Sequence, residues 1–235
     1  MHHVLMDHWS QGSSALHTRD PRAKILALLA FLIVLATTAP NAFSTLAIDA
    51  AVLVAGILIG GLPPGGLLIR AMAVLPFSLT FGLISWLAGE RLRALGLVEK
   101  SYLSTVAVLL VVGTTPLPLL LSGLEALGTP RLLVLVAQFL YRYLFVVSEQ
   151  AQHLRLAAAC RHGTERRRLS GFRAAAGVLA VLFARSYYRA EGIHRAMMAR
   201  AFSGKFALLR RLQFRFADGL FTLAIAAFLV LVRIQ

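Results

Sequence analysis

A chain of 235 residues that is 58% hydrophobic, with a mean hydropathy of +0.75, carries more apolar surface than a soluble core absorbs, since soluble domains hold about 45–50%. The excess points to lipid. The formal charge of +14 first suggests nucleic acid, but most cations lie in one polar interval, Arg155 to Arg215, between apolar segments. Such placement is that of a cytoplasmic region of a membrane protein, and no nucleic-acid partner is expected.

In chain order, residues 1–24 form a polar N-terminal segment with no apolar core of a cleavable signal peptide. It ends in Arg19-Asp20-Pro21-Arg22-Ala23-Lys24, a basic anchor that places the N-terminus inside. Four apolar runs follow within 25–122, at about 25–39, 43–62, 69–88 and 102–122, and each is predicted to cross the bilayer as a helix. The stretch from Gly89 to Lys100 is predicted as a weakly basic outer loop. Residues 123–213 are assigned to a cytoplasmic helical region. There Gln138, Arg142, Glu149 and His153 recur near helical spacing, which predicts an amphipathic, non-spanning helix. A basic turn at 164–168, an Ala/Val/Leu-rich segment at about 172–184 and a polar helix from Ser186 to about Phe202 complete the region. Residues 214–235 supply a fifth crossing. The fold class is therefore all-α: a polytopic helical bundle with long amphipathic cytoplasmic helices.

Several chemistries lack their residues. A phosphate-binding loop needs G-x-x-x-x-G-K-[ST], and around Gly204-Lys205 the first glycine is Ala199 and the hydroxyl position is Phe206, so the chain is not expected to hydrolyse ATP. The single cysteine, Cys160, excludes an intrachain disulfide. His2, His3, Asp7 and His8 offer imidazole and carboxylate donors for a metal, but a polar tail is the favoured account of them, and no metal site is assigned. Asp49 is expected at the membrane interface, although an acid at membrane depth would mark a transport site. Gly56 and Gly60 match G-x-x-x-G, which ordinary helix packing also accounts for.

Two helix ends stand out. Ala159-Cys160-Arg161-His162-Gly163 and Ala199-Arg200-Ala201-Phe202-Ser203-Gly204 each bring an arginine to the end of a helix of small and apolar residues, with a glycine shortly after. A cation in a last turn interacts favourably with the helix carbonyls. Small neighbours also leave the guanidinium free to form a bidentate pair with a partner's carboxylate, and two tips suit two partners.

These tips, with Leu16 to Lys24, Gly113-Thr114-Thr115-Pro116, Leu124 to Pro130, Tyr141-Arg142-Tyr143 with Glu149, and Ser186, Arg189, Ala190 and Glu191, resemble in order and spacing the T component of energy-coupling factor (ECF) transporters, the EcfT/CbiQ family, with its cobalt-type branch CbiQ favoured. The resemblance implies a non-catalytic scaffold in the bacterial cytoplasmic (inner) membrane, with its N-terminus and coupling helices cytoplasmic. Its implied partners are the lipid bilayer, two ABC-type ATPases, and a separate substrate-binding membrane subunit, CbiM-like or another S component. ATP and magnesium would be bound by the ATPases, and this chain would hold no cofactor. Arg161 and Arg200 would be the coupling arginines, flanked by Ala159, Cys160, His162, Gly163, Ala199, Ala201 and Gly204. The motifs depart from the family's Ala-Arg-Gly form at Cys160, His162 and Ala201. The implied cargo is cobalt, or the chemically similar nickel. The alternatives are an ordinary ABC permease with its own substrate path, or an intramembrane metal-dependent hydrolase using the N-terminal histidines.

Overall fold

The computed structural model describes residues 16–39, 43–162 and 168–204, with Trp9, Gly12, Ser14 and positions 216, 218–220, 222, 223, 225 and 227. All regular elements among them are helical, and the chain is an all-α membrane helical bundle. It divides into two compact units, residues 1–129 with 210–235, and residues 130–209.

In the first unit, α1 (Pro21–Thr37) starts where Asp20 adopts extended backbone and its Oδ1 accepts from the Arg22 amide at 2.9 Å. Pro21 suits the first helical position, whose N–H would have no partner. Helix α2 (Phe43–Gly60) leads to α3 (Pro64–Ala71), a 3₁₀ turn at Met72–Val74 and α4 (Leu75–Leu87). The 3₁₀ turn sits where it does because Pro76 has no amide for the Met72 carbonyl, which accepts from Leu75 instead.

Helix α5 (Arg91–Thr114) corrects the expected outer loop at 89–100: the connection shrinks to the few residues before Arg91. Leu92, Ala94, Leu95 and Leu97 interleave with the charges there, enough apolar surface to carry the helix outward. The fourth apolar run is likewise split. Pro116 forces Thr115 into extended backbone, φ −143° and ψ 123°, and α6 (Leu117–Ala126) begins anew.

Helices α2, α3 and α4 all pack on α5, and α1 packs on both α5 and α6. The main core gathers Phe31, Leu35, Leu46, Leu53, Ile57, Leu67, Leu103 and Val106. Gly56 and Gly60 do face a neighbouring helix: a Cβ on Gly56 would lie 3.1 Å from Leu110, and one on Gly60 3.6 Å from Thr114. Closer still is Gly82, where a Cβ would meet the Val98 side chain at 2.9 Å, so α4 and α5 touch across a bare backbone.

Asp49 faces the interior of the bundle. It is 1% exposed, neither carboxylate oxygen has a hydrogen-bond partner, and it shares the inward face of α2 with Leu46 and Leu53. Its spacing from those leucines turns it inward, and a hydropathy run cannot register which face a single acid occupies.

Two lysines join α1 to α5 reciprocally. Lys24, 3% exposed, donates from Nζ to the Thr114 carbonyl at 3.0 Å and to Thr115 Oγ1 at 2.6 Å. Lys100 Nζ donates to the Thr38 carbonyl at 2.5 Å. Each satisfies a carbonyl that a helix C-terminus leaves open, and the pairing makes α1 and α5 antiparallel. The N-terminal segment is tied down by Trp9, whose carbonyl accepts from His17 Nε2 at 2.8 Å. The Arg70 guanidinium lies 4.0 Å from the Trp9 ring centroid.

Among the described residues, Pro64–Leu87, Arg91–Thr114 and Arg131–Cys160 are long and apolar enough to cross a membrane, while Thr45–Gly60 and Leu117–Ala126 are shorter apolar helices. The third of these spans carries the segment expected to be amphipathic and non-spanning, because its first half is nearly all apolar and its polar residues concentrate later. Of the fifth crossing, Phe216, Asp218, Leu220, Leu223 and Ile225 are helical.

Candidate functional site: the arginine tips of the two-helix unit

The second unit is built from α7 (Arg131–His162) and α8 (Arg168–Ala199), 32 residues each and about 48 Å long at 1.5 Å per residue. Helix α7 starts at Arg131, a few residues after α6 ends at Ala126. Gly128, at φ 103°, stops α6 with the Gly128 amide on the Glu125 carbonyl and the Thr129 amide on that of Leu124. That is the paired 5→2 and 6→1 closure of a Schellman motif. The Ala/Val/Leu-rich segment and the polar helix expected as separate pieces are one continuous helix, since nothing between Gly171 and Ser186 breaks an α-ladder.

Helices α7 and α8 pack on each other along a groove of about 870 Å³ lined by Ala151, Arg155, Ala158, Ala159, Gly171 and Ala174, among others. Toward the end of α7, Ala159 and Cys160 are exposed. Arg161 and His162 are its last two residues; their side chains and Gly163 lie outside the described residues, as do His2, His3, Asp7 and His8.

The second tip is fully described. Arg200 is the C-cap of α8, its amide bonded to the Ala196 and Met197 carbonyls at 3.2 and 3.1 Å. Ala201 follows at φ 51°, its amide on Met198 at 3.0 Å, and the Phe202 amide reaches Met197 at 3.0 Å. This is the closure seen at Gly128, and the ends of α2 at Gly61 and of α4 at Gly89 repeat it. Ala201 therefore adopts the left-handed conformation that glycine takes elsewhere, at a steric cost of about 1–2 kcal/mol. Gly204, at φ 74°, turns the chain again just beyond.

Arg200 is exposed, and its guanidinium has no ion-pair partner among the described residues. Its neighbour behaves otherwise: Arg195 pairs with Glu191 one turn earlier on α8. On α7, His153 Nε2 lies 3.8 Å from Glu149 Oε1. Sequence reading found Arg200 but missed that the charges beside it are matched within their own helices; the i,i+4 spacing of Glu191 and Arg195 was the available signal.

The fold defines a multi-pass helical membrane protein whose second unit is a pair of long helices, one of them capped by Arg200, which has no ion-pair partner among the described residues. The chain belongs to the CbiQ family, described as cobalt transport protein, whose profile matches residues 12–209. It is 36% identical over 98 residues to the cobalt transport protein CbiQ of Rhodobacter capsulatus, covering 41% of this chain and 39% of that protein. It is 30% identical over 107 residues to the uncharacterized protein MJ1089 of Methanocaldococcus jannaschii, covering 46% of this chain and 40% of the relative. The matched stretches thus span about two-fifths of each relative's length.

Proposed function

We propose that this chain is the membrane scaffold subunit of an ECF-type transporter. It transmits ATP-driven movement of two ABC-type ATPases to a separate substrate-binding membrane subunit. The carrying observation is Arg200, exposed and without an ion-pair partner among the described residues, on a C-cap whose backbone is closed by two hydrogen bonds. A guanidinium so presented suits a bidentate pair with a carboxylate in a partner's groove, and Arg161 at the end of α7 offers a second. Long packed helices such as α7 and α8 convey rigid-body displacement from tip to membrane. Cobalt is the cargo favoured by the family's description and by the name of the Rhodobacter relative, with nickel as its chemical near-equal. The cation-rich interval favours a cytoplasmic position for both tips and for the N-terminus.

The test is co-purification of the tagged chain from native membranes in mild detergent, with the wild type compared against Arg161→Ala and Arg200→Ala. Removing one member of a buried interfacial charge pair costs about 2–5 kcal/mol. Each variant is expected to lose ATPase subunits or to hydrolyse ATP without uptake. Normal assembly and uptake by both variants would refute the coupling role, and recovery of the wild-type chain alone after crosslinking would refute the scaffold reading.

A further inference from the structure

Ahead of α1, Trp9, Gly12, Ser14 and His17 form a strap that is folded on itself and on the bundle. The Trp9 carbonyl accepts from the Gly12 amide at 3.3 Å as well as from His17, and His17 Nδ1 lies 2.6 Å from Ser14 Oγ. A Cβ on Gly12 would lie 2.8 Å from His17 Nε2, so the bare glycine lets the imidazole close the turn. From that turn the Trp9 ring enters a slot between two backbones. A Cβ on Gly66, at the start of α3, would meet the ring at 3.1 Å, and one on Gly113, near the end of α5, at 3.9 Å. Arg70, one turn further along α3, lays its guanidinium over the ring, a favourable cation–π contact.

The chain beside the slot is otherwise open. Cβ atoms on Gly61 and Gly65 would meet nothing within 4 Å among the described residues, and Pro63 and Pro64 are exposed. Leu67 and Ala71, further along α3, sit in the core. The first turn of α3 is thus held by the ring, and its far end by packing.

Seating the ring also carries a cost. Arg70 Nη1 is buried without a hydrogen-bond partner among the described residues, and a guanidinium N–H shut away from water is unfavourable until it is paired. Lifting the ring uncovers the guanidinium to water, which offsets part of what burial of the indole contributes. Beyond the 3₁₀ turn, α4 stays on α5 across the Gly82 backbone, which leaves α3 as the part able to move.

We propose that the strap is a releasable latch. With Trp9 seated, the start of α3 is clamped to the end of α5; with Trp9 withdrawn, α3 swings on the 3₁₀ turn while the rest of the bundle stays folded.

The experiment uses the purified full chain in detergent. Amide hydrogen exchange over Leu67–Ala71 should rise about tenfold or more in Trp9→Ala, with exchange in α5 around Leu103 unchanged. In a Trp86→Phe background Trp9 is the one tryptophan of the chain. There Gly66→Leu, which fills the slot, should raise acrylamide quenching of Trp9 fluorescence about threefold or more, and Gly113→Ala, whose Cβ fits, should leave it unchanged. Exchange in α3 that does not respond to Trp9→Ala overturns the latch. Exchange that rises equally through α5, or a Trp9→Ala chain that does not fold, overturns it as well, since Trp9 is then an ordinary part of the core. Quenching unmoved by Gly66→Leu overturns the seat itself.

Discussion

Replacing Lys24 by methionine keeps the length of the buried stem and removes the ammonium. Two hydrogen bonds disappear, to the Thr114 carbonyl at 3.0 Å and to Thr115 Oγ1 at 2.6 Å, and the 1%-exposed Thr114 loses the donor that reached its carbonyl. A hydrogen bond to a charged group contributes about 1.5–3 kcal/mol, and an orphaned buried acceptor costs about 1–3 kcal/mol. Desolvation of the ammonium in the wild type offsets part of this sum, leaving a net loss of about 3–5 kcal/mol. At roughly 2–4 °C per kcal/mol for a chain of this size, Lys24→Met should lower Tm by about 10 °C. The assay is heating in detergent followed by size-exclusion of the fluorescently tagged chain. Thr115→Val, which removes only the shorter bond, should give a smaller drop, and its effect should vanish on the Lys24→Met background. A Lys24→Met protein that melts within about 2 °C of wild type would show that solvation of the ammonium cancels the bonds, and would refute the reasoning.

At the second tip, Ala201→Gly relieves the left-handed strain and should raise Tm by roughly 2–4 °C, whereas Ala201→Val should lower it and reduce ATPase co-purification together. Asp49→Leu replaces a buried carboxylate that has no partner among the described residues with an apolar group, and by the cost of burying such a group should stabilise the bundle by about 1–3 kcal/mol; a lower Tm on thermal melting would refute this. Gly82→Leu must displace the Val98 side chain, 2.9 Å from the new Cβ, and should cost about 1–3 kcal/mol, read as a lower Tm.

Elements whose signal is local were legible in the sequence. The apolar runs at about 25–39, 43–62 and 69–88 become α1, α2 and the α3–α4 pair, and the arginine at the end of α8 stands out against its small neighbours. Composition misled where one helix changes character along its length. The charged first third of α5 reads as a loop, and α8 reads as separate pieces, because a hydropathy window sees local averages while the hydrogen-bond ladder continues through them. Non-local facts left no trace in any window. The 90-residue reach from Lys24 to Thr114 and the inward turn of Asp49 depend on which helices become neighbours. Of the candidate site, the sequence held the arginine but not the geometry: that Ala201 would accept glycine's conformation follows from the closing bonds around it rather than from its own preference.

Fourteen residues separate Lys24 from Thr38 on the α1 side, and the same number separates Lys100 from Thr114 on α5. The two bonds therefore sit at opposite ends of equal lengths of helix, about 21 Å each. Sliding α1 past α5 by one turn, about 5.4 Å, would break both together, so the pair acts as a register lock. Within the first unit, α1 and α5 then tilt only as one body, and bending is left to joints outside the pair, such as the 3₁₀ turn before Pro76.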